Sequence, residues 1–140
     1  MNDFILNPTL AADCHVLGRW QDIHVLLHRD AHVRWFILVP ETGAAEWHEL
    51  QPDLRGRLAE AAAAISAMLK ADLACDKVNI AAIGNLVPQI HFHVIGRWRS
   101  DPYWPGVVWG RVVPGCVYGE GEVGALRTRG LSALSAAFGA

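Results

Sequence analysis

Residues 89–95 read Gln-Ile-His-Phe-His-Val-Ile, a stretch in which polar and apolar side chains alternate. In a β-strand successive side chains point to opposite faces, so this alternation predicts one polar and one apolar face. The polar face carries three side chains, Gln89, His91 and His93. Imidazoles titrate near neutral pH and act as nucleophiles, bases or metal ligands, so we expect the chemistry of the protein on this strand.

The segments around this strand predict an α+β fold with an antiparallel sheet of about five strands. Apolar residues recur every three or four positions from Pro52 to about Leu73, which indicates one long amphipathic helix. The glycine-containing stretch near the C-terminus predicts an ordered loop and then a short C-terminal helix. Five segments are predicted to be strands: residues 14–20, 23–28, Arg34–Pro40, 76–83 and 89–97.

Composition narrows the class of protein. The chain has 140 residues, 52% of them hydrophobic, which fits a single domain over residues 1–140. A net charge of −2 disfavours nucleic-acid binding, and neither a long apolar run nor a basic leader indicates a membrane partner. We expect a cytoplasmic protein with no disulfide framework, since the three cysteines form no CxxC pair.

The two histidines alone leave several interpretations open. A His-x-His pair on a strand is a start for a metal site, but the other five histidines show no ligand spacing, so no metal is expected. A pair of structural histidines that bond to the backbone or to water fits the spacing as well.

A longer stretch favours catalysis. The segment KVNIAAIGNLVPQIHFHVIGR, from Lys77 to Arg97, resembles the histidine-triad (HIT) superfamily of nucleotide hydrolases and transferases, whose signature is His-φ-His-φ-His-φ-φ. In that register Gln89 occupies the first histidine position, His91 the second and His93 the third. The resemblance runs from about Ile23 to the WPGVVWG segment, so it implies a HIT-like fold.

The resemblance implies a mechanism. His91 would attack the α-phosphorus of a nucleotide and form a nucleotidyl-histidine that water hydrolyses. The main-chain carbonyl of residue 89 would hold the other nitrogen of His91, whatever the side chain of Gln89. His93 would lie beside the phosphate and stabilise its oxygens or the leaving group.

Four further residues are candidate substrate contacts by resemblance. Gly84 and the adjoining Asn85 lie where backbone N–H groups approach the phosphate. Asn79 resembles an asparagine that contacts the nucleotide near its phosphate, and Asp30 is a candidate for binding the ribose hydroxyls. An ordinary turn glycine, a structural asparagine and a solvated loop aspartate are the alternatives.

Three residues depart from the family pattern. Besides Gln89, the family's leaving-group serine falls on Leu86, and a frequent histidine of the third strand falls on Trp35. Leu86 and Trp35 provide no acid for the leaving group, which ranks dinucleoside polyphosphates or nucleotide anhydrides slightly above phosphoramidates. A nucleotide-binding protein with little or no turnover is the alternative.

The resemblance also implies an assembly. HIT proteins commonly pair two subunits through the sheet and helix, so we expect a homodimer that uses a nucleotide substrate and no cofactor. Three tryptophans follow the motif closely: Trp98, Trp104 and Trp109. Each could line the rim of the substrate site, contact a second subunit or pack in the core.

Overall fold

The computed structural model describes residues 3–138, which form a five-stranded antiparallel sheet with the order β1-β2-β3-β5-β4. This confirms the predicted α+β fold. The strands are β1 (Cys14–Trp20), β2 (Ile23–His28), β3 (Arg34–Pro40), β4 (Lys77–Ala81) and β5 (Phe92–Arg97). The helices are α1 (Pro8–Asp13), α2 (Pro52–Leu73) and α3 (Glu122–Phe138), and a 3-10 helix spans Trp47–Glu49.

β3 lies at the centre of the sheet because it is apolar on both faces. Every residue of this strand after Arg34 is buried. It pairs with β2 on one side and with β5 on the other, where Ile37 lies opposite His93. The predicted bounds of the first three strands are confirmed, and the central position of β3 puts its side chains beside the histidine motif.

Two helices cover one face of the sheet. α2 begins at Pro52, which suits a first helical turn, and ends before Ala74 in a left-handed conformation (φ 54°). The predicted range of α2 is confirmed. α3, expected to be short, runs for 17 residues. A Cβ on Gly130 would lie 3.1 Å from Phe36 Cε1, so the glycine lets α3 approach the sheet closely.

The N-terminal residues, which include the short helix α1, and the segment after β5 cover the opposite face. Phe4, Leu6 and Leu10 from the N-terminus and Tyr103 and Val108 from the segment after β5 pack against the sheet there. The N-terminal helix α1 was not predicted from the sequence. The histidine motif lies on this second face, so the N-terminal residues and the segment after β5 surround it.

The last two strands are shorter than predicted. β4 ends at Ala81, and β5 begins at Phe92 rather than at residue 89. The pairing of β5 with β3 begins at Phe92, opposite Leu38, and Pro88 has no N–H to extend a ladder toward the N-terminus. Gln89 and His91 therefore precede the strand that carries His93.

No helix within residues 3–138 is both long enough and apolar enough to cross a membrane.

Candidate active site

His91 lies just before β5 and is held by the backbone two residues earlier. Its Nδ1 lies 2.7 Å from the carbonyl oxygen of Gln89, and the residue is only 7% exposed. A carbonyl can only accept a hydrogen bond, so Nδ1 must donate and carries the proton. In the neutral ring the lone pair is then on Nε2, which is the form required of a nucleophile.

His93 is held in the opposite tautomer. The indole Nε1–H of Trp35 donates to Nδ1 of His93 across 2.9 Å. An indole N–H can only donate, so Nδ1 of His93 accepts and its proton is on Nε2. Burial, with smaller contributions from His91 and His28, lowers the pKa of His93 to about 3. At neutral pH His93 is therefore an uncharged N–H donor.

The two imidazoles line one cavity of about 630 Å³. Their ring centroids are 4.9 Å apart and the rings meet edge to face. Most of the surrounding side chains are apolar, and none of the lysines or arginines of residues 3–138 lines this cavity. A phosphate group would therefore meet the N–H of His93 here rather than a lysine or arginine, and the only carboxylate that the described residues place in the lining is that of Asp13.

The turn after β4 forms part of the same cavity. Gly84 and Asn85 both line it, which brings these two predicted contacts together with the histidines. Gly84 has φ +67°, a conformation that favours glycine because it has no Cβ. Leu86, at the position of the family's serine, lines the cavity but is 96% exposed, and its side chain offers no hydrogen bond.

The side chain of Gln89 is directed to the N-terminal segment instead of the cavity. Its Oε1 accepts from the backbone N–H of Asn7 (2.8 Å), and its Nε2 donates to the carbonyl of Ile5 (2.9 Å). Asn7 caps α1, whose residues Thr9 and Asp13 line the cavity. Gln89 therefore bonds to His91 through its main-chain carbonyl and to the N-terminal segment through its side chain.

A second cavity of about 560 Å³ adjoins the first and contains Asp30. The Asp30 carboxylate accepts from the Tyr103 hydroxyl and from the backbone N–H of His32. Burial raises the pKa of Asp30, but these hydrogen bonds outweigh it and hold the pKa below its ordinary value. Arg29 and Arg111 line this second cavity, so it differs in charge from the first.

His28 and Trp35 separate and line both cavities. Their rings stack with centroids 3.9 Å apart and an interplanar angle of 13°. Burial lowers the pKa of His28, although Asp13 and Asp30 oppose the shift. The neutral ring therefore stacks on the same indole that fixes His93.

Asn79 is the one predicted substrate contact that lies outside both cavities. Its Oδ1 accepts from Arg97 (2.9 Å), which also pairs with Asp101 at 2.9 Å. This buried pair fixes the start of the loop over residues 98–110, which we call the aromatic loop, because Asp101 also accepts from the backbone N–H of Tyr103.

The three tryptophans of the aromatic loop have different places. Trp109 lines both cavities and meets the His93 ring edge-on, with centroids 4.9 Å apart. Trp98 packs against the helix-covered core, and Trp104 lies against the Arg97 guanidinium at 5.7 Å. Only Trp109 therefore belongs to the rim of the site.

The geometry offers little to a metal ion. His91 and His93 are neighbours, but within residues 3–138 no group of three or more histidine, cysteine, aspartate or glutamate side chains is arranged to hold a metal.

Several residues of the site were missed from the sequence. The Asn7-Pro8 pair is typical of a helix start and would have predicted α1, with its Thr9, Leu10 and Asp13. The bond between Trp35 and His93 spans 58 residues along the chain and had no local signal.

Comparison with known proteins identifies the family. The sequence model of the HIT domain matches residues 9–100, more than half of the chain. The protein therefore belongs to the histidine-triad family, as the resemblance predicted. No curated protein matches the chain in sequence.

Three crystal structures of histidine-triad proteins resemble most of the chain. The protein from Marinobacter aquaeolei is 38% identical with a TM-score of 0.86, and the match covers 95% of this chain and 97% of that one. The protein from Sinorhizobium meliloti is 34% identical with a TM-score of 0.86, covering 94% and 98%. The protein from Bradyrhizobium japonicum is 34% identical with a TM-score of 0.85, covering 93% and 97%.

Proposed function

We propose that the protein hydrolyses or transfers nucleotides at the α-phosphate through a nucleotidyl-histidine formed on His91. The observation that carries the proposal is the 2.7 Å bond from His91 Nδ1 to the Gln89 carbonyl, which leaves the Nε2 lone pair for attack. Attack forms the Nε2–P bond and breaks the bond from phosphorus to the leaving group, which departs with the electron pair. Water then attacks phosphorus, the electron pair returns to Nε2, and a mononucleotide is released.

His93 acts in this proposal as a neutral hydrogen-bond donor to the phosphate oxygens. Its Nε2–H can stabilise negative charge that develops in the transition state. With a pKa of about 3, His93 has no second proton to give to a leaving group near neutral pH. Phosphoramidates need an acid for their amine, whereas a polyphosphate leaves as a stable anion, so the proposal favours dinucleoside polyphosphates or nucleotide anhydrides.

Charge in the adjoining cavity supports the same substrate class. Arg29 and Arg111 line that cavity together with one carboxylate, Asp30, so the two arginines outnumber it and can attract the negative charges of a polyphosphate. Gly84 and Asn85 are proposed to bind the phosphate through their backbone. Asp30 is kept as a proposed ribose contact, because its two oxygens have acceptor positions beyond those used by Tyr103 and His32.

Asn79 has a different proposed role. Since its amide oxygen accepts from Arg97, it supports the buried pair that holds the aromatic loop, and through that loop Trp109 at the rim. Its contribution to nucleotide binding would be indirect.

One alternative function has its own support. Leu86 offers no hydroxyl to a leaving group, and the Gln89 amide bonds to the N-terminal segment rather than to the site. A protein with this site can bind a nucleotide without efficient turnover. Turnover assays separate the two functions, because binding alone releases no mononucleotide.

The test is a side-by-side assay of dinucleoside polyphosphates and nucleoside phosphoramidates with the wild type, His91→Ala and His48→Ala. His48 is exposed and lies outside the cavity, so its variant is the matched control. We expect mononucleotide release with the wild type and His48→Ala, and a loss of about 10⁴-fold or more with His91→Ala. Equal release by all three proteins would contradict the proposed role of His91.

We also propose that the protein is a cytoplasmic homodimer. β4 is at one edge of the sheet, and beside it Trp47 and Ile80 are 45% and 56% exposed around an apolar hollow. An unpaired strand edge next to an apolar surface favours a second copy of the chain. Light scattering should report a dimer for the wild type and for Val117→Lys, and a monomer for Ile80→Lys.

A further inference from the structure

Gln89 links two parts of the site that lie far apart in sequence. Through its carbonyl it holds Nδ1 of His91, and through its side chain it holds the backbone of Ile5 and Asn7. A side-chain amide has one acceptor and one donor group on the same carbon. It therefore pairs with the N–H of one residue and the C=O of another in the same way as a neighbouring strand.

The residues held by Gln89 lead directly into the wall of the cavity. Asn7 caps α1 through a 2.9 Å bond from the Thr9 backbone N–H, and Leu10 of this helix is buried against the sheet. Thr9, Leu10 and Asp13 line the cavity that contains His91 and His93. The position of this wall therefore depends on where residues 5–7 are fixed.

Other residues at position 89 would not make the same contacts. A glutamate would accept from the Asn7 N–H, but it would place a charge against the Ile5 carbonyl, which also accepts. A methionine of similar length would make neither bond. Of these three side chains, only the amide makes both contacts at the position where the family pattern has a histidine.

We infer that Gln89 is a positioning residue for substrate, which fixes the N-terminal segment as a wall of the nucleotide cavity through its side chain. The inference rests on the proposed function as far as the nucleotide is concerned. The glutamine side chain, which departs from the triad, thus affects nucleotide binding, while the main-chain carbonyl of the same residue keeps its hydrogen bond with His91. Loss of the side chain should weaken binding far more than it slows the chemical step.

The test compares Gln89→Met and Gln89→Glu with the wild type and with Gln51→Met. Gln51 is exposed, makes no side-chain bond to the helix end that it precedes, and lies outside both cavities, so its variant is the matched control. Three quantities are measured: hydrogen exchange of the backbone amides of residues 5–13, the Kd for AMP, and KM and kcat for diadenosine tetraphosphate.

In both Gln89 variants we expect about tenfold faster exchange over residues 5–13 and about tenfold higher Kd and KM, as for the loss of one or two neutral hydrogen bonds. The value of kcat should change by less than about threefold. Gln51→Met should match the wild type in all three measurements.

Two results would overturn the inference. Unchanged exchange in Gln89→Met would show that the amide does not hold the segment. Faster exchange with unchanged Kd and KM, or a fall in kcat larger than the rise in KM, would show that the segment does not position the nucleotide. If the wild type bound no AMP and released no product, the proposed function and the nucleotide part of the inference would fail, whereas the exchange result would still decide whether Gln89 holds the segment.

Discussion

The two faces of the sheet are covered by different kinds of structure. On one face, α2 and α3 pack apolar side chains such as Ile65 and Leu134 onto the strands. On the other, the N-terminal segment and the aromatic loop are fixed by polar bonds, among them the Arg97–Asp101 pair. The helix-covered face holds the larger buried apolar cluster, whereas the other face leaves room for a cavity whose polar groups are held in defined orientations.

The largest effect on stability should follow from damage to the helix-covered face. Ile65 is fully buried in that core, so Ile65→Ala should lower the free energy of unfolding by about 2–5 kcal/mol. Turnover per folded molecule should remain near that of the wild type, because Ile65 lies on the face away from the cavity. Urea unfolding and an assay at a temperature where the variant is folded measure the two quantities.

Val117→Ala is the control for this prediction. The side chain is 79% exposed, so the free energy of unfolding should change by about 0.5 kcal/mol or less. A large loss of turnover in folded Ile65→Ala would argue against a division of roles between the two faces.

The second prediction concerns how the buried, neutral His93 makes the free energy of unfolding depend on pH. Its pKa is about 3 in the folded protein against an ordinary value of 6.5, so the unfolded chain binds a proton that the folded protein does not. The free energy of unfolding is therefore unaffected by the titration of His93 above about pH 6.5. It falls as the pH drops from there toward 3. Between pH 7 and pH 5 the wild type should lose roughly 1–2 kcal/mol through this group.

The measurement is urea unfolding at pH 7 and pH 5 for the wild type, His93→Gln and His48→Gln. The pH-dependent loss should be smaller by that amount in His93→Gln, which cannot take up the proton. His48 is exposed, and its variant should retain the loss seen in the wild type. Identical pH dependence in all three proteins would contradict the burial of a neutral His93.

The smallest effect should follow from changing a single hydrogen bond on the site face. Trp35→Phe removes the donor to Nδ1 of His93, which stabilises the neutral ring, so the pKa of His93 should rise. Without that bond the Nε2–H is no longer held toward the cavity, and turnover should fall about tenfold. NMR titration of the histidine and a turnover assay at pH 7 measure both effects.

Trp109→Phe sharpens this prediction. Trp109 meets the His93 ring edge-on but does not donate to Nδ1, which accepts from Trp35. Trp109→Phe therefore removes an indole beside His93 and keeps an aromatic ring there. Its effect on the pKa of His93 should be smaller than that of Trp35→Phe. An unchanged pKa in Trp35→Phe would mean that the indole bond does not set the tautomer.

The same comparison explains how much could be predicted from the sequence. Periodic apolar residues predicted α2 and the first three strands with their bounds, because burial against a regular core leaves a repeating pattern. The contact from residue 89 to His91 is local and followed from the family resemblance. By contrast, the partners of Gln89 are 82 and 84 residues away, and no periodicity encodes them.

Single polar residues were the least predictable part of the site. Asp30 remains a predicted ribose contact, but its hydrogen bonds to Tyr103 and His32 in the second cavity had no signal in the sequence. Trp35 departs from the family's frequent histidine, and its indole provides the donor that fixes His93. Such bonds depend on which side chains the fold brings together, so they required the three-dimensional structure.

The most direct test of the central claim is to trap a nucleotidyl-protein intermediate. The wild type is mixed with labelled diadenosine tetraphosphate, quenched under conditions that preserve an acid-labile phosphorus–nitrogen bond, and mapped by mass spectrometry. The account predicts a single nucleotidyl group on His91, absent from His91→Ala and present in His48→Ala. Product release without any adduct on His91, or an adduct on another residue, would contradict it.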